Sequence, residues 1–189
     1  MAGFYKIIDP NNTYEKKITE LHGPEVNENE TKYLIVTDKS FKPTGELYYP
    51  ATSPIPGFSS WVPEFFGNVM LVNGVIWPKM TLKKGKNRFV LLNACQNRYL
   101  NVYFDNFGKK IPIELLRVDG DYYDTQIVVN ELFATIASRI EFILDLTYAQ
   151  GDIIMKNTAS APYPDGDPIN LVPEFTGQIM KFIVLTPVA

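Results

Sequence analysis

Apolar residues in this chain fall into short blocks, or alternate with polar ones, and turn-forming residues separate the segments. The pattern predicts strands over Lys32 to Asp38, Asn87 to Asn93, Tyr99 to Phe104, Ile111 to Val118, Ile153 to Asn157 and Gln178 to Leu185. Val69 to Ile76 reads as a hairpin folded at Asn73-Gly74, because that dipeptide tolerates the positive φ angles of a tight turn. Asp105-Asn-Phe-Gly108 and Asp119-Gly120 supply further turns.

Ser138 to Leu146 alternates most clearly. Ile140, Phe142, Leu144 and Leu146 fall on one face of a strand, and Arg139, Glu141 and Asp145 on the other. Ile143 breaks the alternation, which predicts a second face partly covered by a neighbouring domain. With 14 prolines and 12 glycines spread through the chain, the expected fold class is all-β, a two-sheet Greek-key sandwich or barrel. The first residues, 1–31, are polar and turn-rich and read as an arm or linker, in which a weak helix could run from Tyr14 to Leu21. Residues 32–189 form the domain proper.

Composition narrows the function classes. The 189 residues carry a net charge of −3 and 46% apolar residues, as an ordinary globular domain does. No apolar run approaches the roughly 20 residues of a membrane-spanning helix, so no membrane partner is expected. Lys83-Lys84-Gly85-Lys86 lacks interleaved aromatics and reads as a solvated turn, and no nucleic-acid partner is expected. The N-terminus has no basic, apolar and small-residue succession of a signal peptide. The chain is then either cytoplasmic or cut from a longer exported precursor, and its localisation is open.

Candidate chemistry is sparse. The one histidine, His22, sits in the polar arm and reads as a solvated loop residue, and the one cysteine, Cys95, has no intrachain partner. A cysteine without a histidine beside it has no base to activate it. Asp119-Gly-Asp-Tyr-Tyr-Asp124 lacks the glycine and the later glutamate of a calcium loop and reads as a hairpin turn. No catalytic residue and no metal ligand is assigned.

Several motifs resemble the middle domain of multicopper oxidases of the spore-coat laccase and bilirubin oxidase branch. They are Leu34-Ile-Val-Thr-Asp38-Lys-Ser-Phe41, Val62-Pro-Glu-Phe-Phe-Gly67, Leu71-Val-Asn-Gly74, Trp77-Pro78, Leu92-Asn-Ala-Cys95-Gln-Asn-Arg98 and Phe142-Ile-Leu-Asp145. The first residues, Ala2 to Pro10, look like the end of the family's first domain running into the linker. The chain departs from the pattern at Thr135-Ile-Ala-Ser138, where the family commonly has a Pro-Ala-Glu-Arg turn.

The resemblance implies a cupredoxin-like fold, copper in the parent enzyme and no copper in this chain. It lacks the His-x-His pairs and the His-Cys-His cluster whose imidazoles and thiolate suit copper. It further implies a scaffold between the first and third cupredoxin domains, with Asn93, Ala94, Cys95 and Ser160 lining the substrate-pocket wall. For Cys95 the plainer reading, a small buried residue at a tight turn, stays open. The alternative function is a copper-free, non-enzymatic scaffold or binding protein derived from the same fold. A middle domain without its neighbours would also leave covered faces open and tend to self-associate.

Overall fold

The computed structural model describes residues 2–50, 53, 55–58, 60, 64–166 and 175–185. Val62 and Pro63 of the quoted motif, and residues 167–174 of the long loop, lie outside these. A helix, α1 (Thr13–His22), and two single 3-10 turns precede strand β1 (Lys32–Lys39). There follow β2 (Val69–Val72), β3 (Val75–Ile76), β4 (Lys79–Lys83), β5 (Lys86–Asn93), β6 (Leu100–Asn106) and β7 (Lys109–Lys110). The series ends with β8 (Ile113–Val118), β9 (Asp121–Val129), β10 (Leu132–Ala134), β11 (Arg139–Asp145), β12 (Ile153–Asn157) and β13 (Gln178–Leu185).

The strands make two packed sheets. One has seven strands in the order β3-β2-β1-β5-β11-β8-β9, and the other six, with β10-β6-β12-β13-β4 in line and β7 paired to β6. Most neighbours are antiparallel, but β1 runs parallel to β5 and β13 parallel to β4. The sandwich is closed by alternation. Phe89 and Phe142 from the first sheet meet Phe104 and Phe182 from the second, with ring centroids 5.5–5.9 Å apart. All four are fully buried, and pairs of this kind add to what their area alone contributes.

The expected hairpin is present. Asn73 and Gly74 both have positive φ, 52° and 83°, between antiparallel β2 and β3. Gly67 is needed for a different reason: a Cβ there would sit 2.3 Å from the Lys39 backbone nitrogen.

One expectation is corrected and another is met. Ile143 is covered by the chain itself and not by a neighbouring domain. It packs with Ile18, Val26 and Leu116 beneath α1. Leu116 reaches this layer because β8 carries one extra residue there: Leu115 opposes Phe142 and Arg117 opposes Glu141, leaving Leu116 unpaired between them.

The weak helix is real and well capped. Asn12 Oδ1 accepts from Tyr14 N at 3.0 Å and Glu15 N at 3.4 Å. At its other end Gly23, with φ 97°, donates its N–H to the Thr19 carbonyl at 2.9 Å. Its inward stripe is Glu15, Ile18 and His22, of which the last two are buried, at the spacing that puts residues on one helical face.

Candidate functional site

The Asn93–Arg98 turn is built by one amide. Asn93 is fully buried; its Nδ2 donates to the Arg98 carbonyl at 2.9 Å and to the Ala134 carbonyl at 3.0 Å. Its Oδ1 accepts from Cys95 N at 3.1 Å, which closes the turn. Ala94 N donates to the Val36 carbonyl at 2.8 Å and ties the turn to β1. Of the four residues expected in a pocket wall, Ala94 and Ser160 are half-buried, whereas Asn93 and Cys95 face the interior. Ser160 Oγ donates to the Pro164 carbonyl within its own loop at 2.7 Å.

These anchors surround three aromatic rings. The carbonyls that Asn93 holds belong to the residues beside Tyr99 and Phe133, and the one that Ser160 holds lies beside Tyr163. The rings contact one another with centroids 4.8–5.9 Å apart. The 158–166 loop is fixed from below. Asn157 Oδ1 accepts from Asn101 N at 2.9 Å and Ala159 N at 3.1 Å, and Thr158 N donates to the Asn101 carbonyl at 2.9 Å.

Beneath the turn lies an ion pair that the sequence reading did not identify. Asp38 Oδ2 accepts from Arg98 Nε at 3.0 Å and from Gly67 N at 2.8 Å, while Arg98 Nη2 donates to the Gly67 carbonyl at 2.9 Å. Both side chains are buried. Arg98 also stacks over the Phe66 ring at 5.4 Å. This arrangement gives the Asp38 motif and the Phe66-Gly67 motif a physical reason: they clamp one guanidinium. Cys95 lies in the core close by, its Sγ 3.9 Å from the Val36 carbonyl. Burial, with the Asp38 charge, pushes its thiol well above the usual range, so it stays protonated.

A second charged cluster lies under α1. Arg88 is fully buried and donates to both Glu15 carboxylate oxygens at 2.7 Å, to Glu141 Oε1 at 2.5 Å and to the Val26 carbonyl at 3.1 Å. Arg117 takes the other Glu141 oxygen, and Tyr122 OH donates to Glu15 Oε1 at 2.6 Å. Burial alone would lower the Arg88 pKa, but the two carboxylates outweigh it and raise it. Burial and the Glu15 hydrogen bond push the Tyr122 phenol up to about 12.

His22 is here too, buried rather than solvated as its loop-like surroundings predict. Its Nε2 meets Glu114 at 3.0 Å and its Nδ1 meets Lys86 Nζ at 3.3 Å. Desolvation pulls its pKa down, helped by Lys86 and Arg88 and opposed by Glu114. The signal for this site was available as the helical spacing of Glu15, Ile18 and His22, but two of the three are polar and mask the stripe.

The donor set does not suit copper. His22 is engaged on the outer face of the seven-stranded sheet, and Cys95 points between the sheets as a protonated thiol. Among the described residues no group of three or more His, Cys, Asp or Glu is arranged to hold a metal ion.

No family model matches the chain. Individual proteins do. Over 161 residues it is 34% identical to a laccase of Bacillus subtilis, covering 82% of this chain and 30% of that protein. Over 153 residues it is 31% identical to the multicopper oxidase LPR1 of Arabidopsis thaliana, covering 80% of this chain and 25% of that protein. The chain belongs to the multicopper oxidase family. Among solved structures it superimposes on a variant of the McoA multicopper oxidase of Aquifex aeolicus with a TM-score of 0.69 at 22% identity, over 92% of this chain and 35% of that one. That likeness shows the cupredoxin-like sandwich. The chain thus spans about a quarter to a third of the length of the multicopper oxidases it matches.

Proposed function

We propose that the chain is the middle cupredoxin-like domain of a laccase- or bilirubin-oxidase-like multicopper oxidase, with residues 1–31 as the interdomain arm. It holds the first and third cupredoxin domains and contributes part of the substrate-pocket wall. The parent couples one-electron oxidation of a substrate to reduction of O2 to water. In the wall, Ala94 and Ser160 face outward, while Asn93 and Cys95 set the shape of the turn from behind. By itself the chain is catalytically inactive.

The observation that carries this reading is the commitment of its donors. Its only imidazole and only thiol are engaged in separate layers, in a chain whose relatives are named multicopper oxidases. Copper loading tests it. Purified chain incubated with copper and then desalted is expected to retain no stoichiometric metal and to show no intense blue absorption. One copper per chain with such a band would overturn the proposal.

A second reading, a copper-free scaffold that works without oxidase domains, is favoured by the arm, which covers Ile143 with the chain's own helix. Neighbouring reading frames that encode histidine-rich cupredoxin domains would decide for the first reading.

A further inference from the structure

The two broad faces of the sandwich are already spoken for. The outer face of the seven-stranded sheet is covered by α1, and the outer face of the six-stranded sheet carries charged pairs such as Lys156–Asp105 and Lys181–Asp152. At the β3 edge the surface is different. Val75, Ile76, Trp77 and Phe175 are 56%, 41%, 37% and 44% exposed. They come from a hairpin strand with the residue after it, and from the turn before β13, so two separate pieces of chain converge on one apolar surface.

This surface is held in shape. Trp77 Nε1 donates to the Phe175 carbonyl at 3.0 Å, and the two rings lie 5.9 Å apart. Trp77 N donates to the Met70 carbonyl at 3.3 Å, which sets the residue at φ 42°. A tryptophan is uncommon in the left-handed region and stays there only where its surroundings impose it. Fixed aromatic side chains at an exposed edge are the composition of an interface centre, where Trp contributes most and charge is depleted.

We infer that the Val75–Trp77 and Phe175 surface is the seat of another cupredoxin domain of the same parent oxidase. This rests on the multidomain reading proposed above. Its support is the length that must be placed: the chain spans 25–35% of the relatives and solved structures it matches, so about two-thirds or more of such a protein packs around or beyond it. Another exposed aromatic group, Phe133 and Tyr163 at 43% and 47%, packs with Tyr99 beside the Asn93–Arg98 turn, away from the β3 edge.

The test is thiol labelling of Ile76→Cys, in the 189-residue chain and in the intact parent. The native Cys95 is buried and protonated, so the introduced thiol reports alone. Tyr148→Cys, at a position 92% exposed and away from this edge, is the control in both. Labelling at position 76 is expected to be fast in the chain and slower by about tenfold or more in the parent, with position 148 fast in both. Equal rates at position 76 in a parent that binds copper would overturn the interface while leaving the multidomain reading intact. Protection in the 189-residue chain, with elution as a dimer, would also overturn it by naming a second copy as the occupant. A natural gene product no longer than this chain would remove the multidomain reading itself.

Discussion

The outer faces of the two sheets carry the same kinds of side chain in opposite circumstances. On the seven-stranded sheet, the buried Arg88 and Glu141 are joined by the largely buried Glu15 from α1, with the partly exposed Arg117 at the rim. On the six-stranded sheet, Lys110–Glu131 and Lys181–Asp152 are open to solvent and Lys156–Asp105 is partly so, with the Tyr103 ring beneath Lys110 and Lys156. Burial decides what each set is worth. An exposed pair contributes at most about 1 kcal/mol, because water competes for both partners. A buried pair contributes little net over an apolar substitute, yet breaking it strands a charge at a cost of about 3–5 kcal/mol. The closed face is therefore the one where a single change matters, and it ties the arm to the domain.

The sharpest way to break the comparison is Glu15→Gln. It leaves Arg88 with one carboxylate already shared with Arg117, and is expected to destabilise the chain by about 3 kcal/mol or more, read as a lowered urea midpoint. A loss under about 1 kcal/mol would mean the layer is wetter than its geometry implies.

A smaller effect is expected from pH. The His22 pKa is lowered on folding, so the unfolded chain binds the extra proton first. Stability is then complete above the ordinary histidine value of 6.5 and falls as pH drops below it, while the Glu15 contribution is lost only further down, below 4.5. Burial raises the Glu15 pKa, but the Arg88 and Tyr122 hydrogen bonds win and hold it low. Urea midpoints compared at about pH 7.5 and 5.5 should fall for the native chain and change less for His22→Gln. An equal fall in both would assign the loss to other groups. The smallest change is expected for Lys156→Met on the open face, within about 0.5 kcal/mol by the same denaturation measurement.

How much of this was legible in the sequence follows the same division. Interior strands such as β5 and β11 announce themselves because one face must be apolar: Phe89 and Leu91, or Ile140, Phe142 and Leu144. The strands that sequence reading did not identify include β4, β9 and β10, all at sheet edges. β9 runs Asp121-Tyr-Tyr-Asp-Thr-Gln with hardly a buried side chain, so no alternation is imposed on it. Helix α1 was faint because its inward face holds a glutamate and a histidine, whose partners lie 64 to 107 positions further along: Lys86, Arg88, Glu114 and Tyr122. At the candidate site the Asn93-Ala-Cys95 turn was readable as a motif. The Asp38–Arg98 pair under it was not, since local spacing says nothing about residues 60 positions apart. The aromatic trio of Tyr99, Phe133 and Tyr163 was hidden in the same way.

The unpaired Leu116 makes β8 tolerant of a change in length. With two successive residues turned toward the arm, the inside-outside order restarts at Val118, so a variant missing Leu116 keeps Arg117 opposite Glu141 and Val118 opposite Ile140. Losing one codon almost anywhere else in a central strand would turn the sheet's inner side chains outward. Here it removes only the leucine's own plug between helix and sheet.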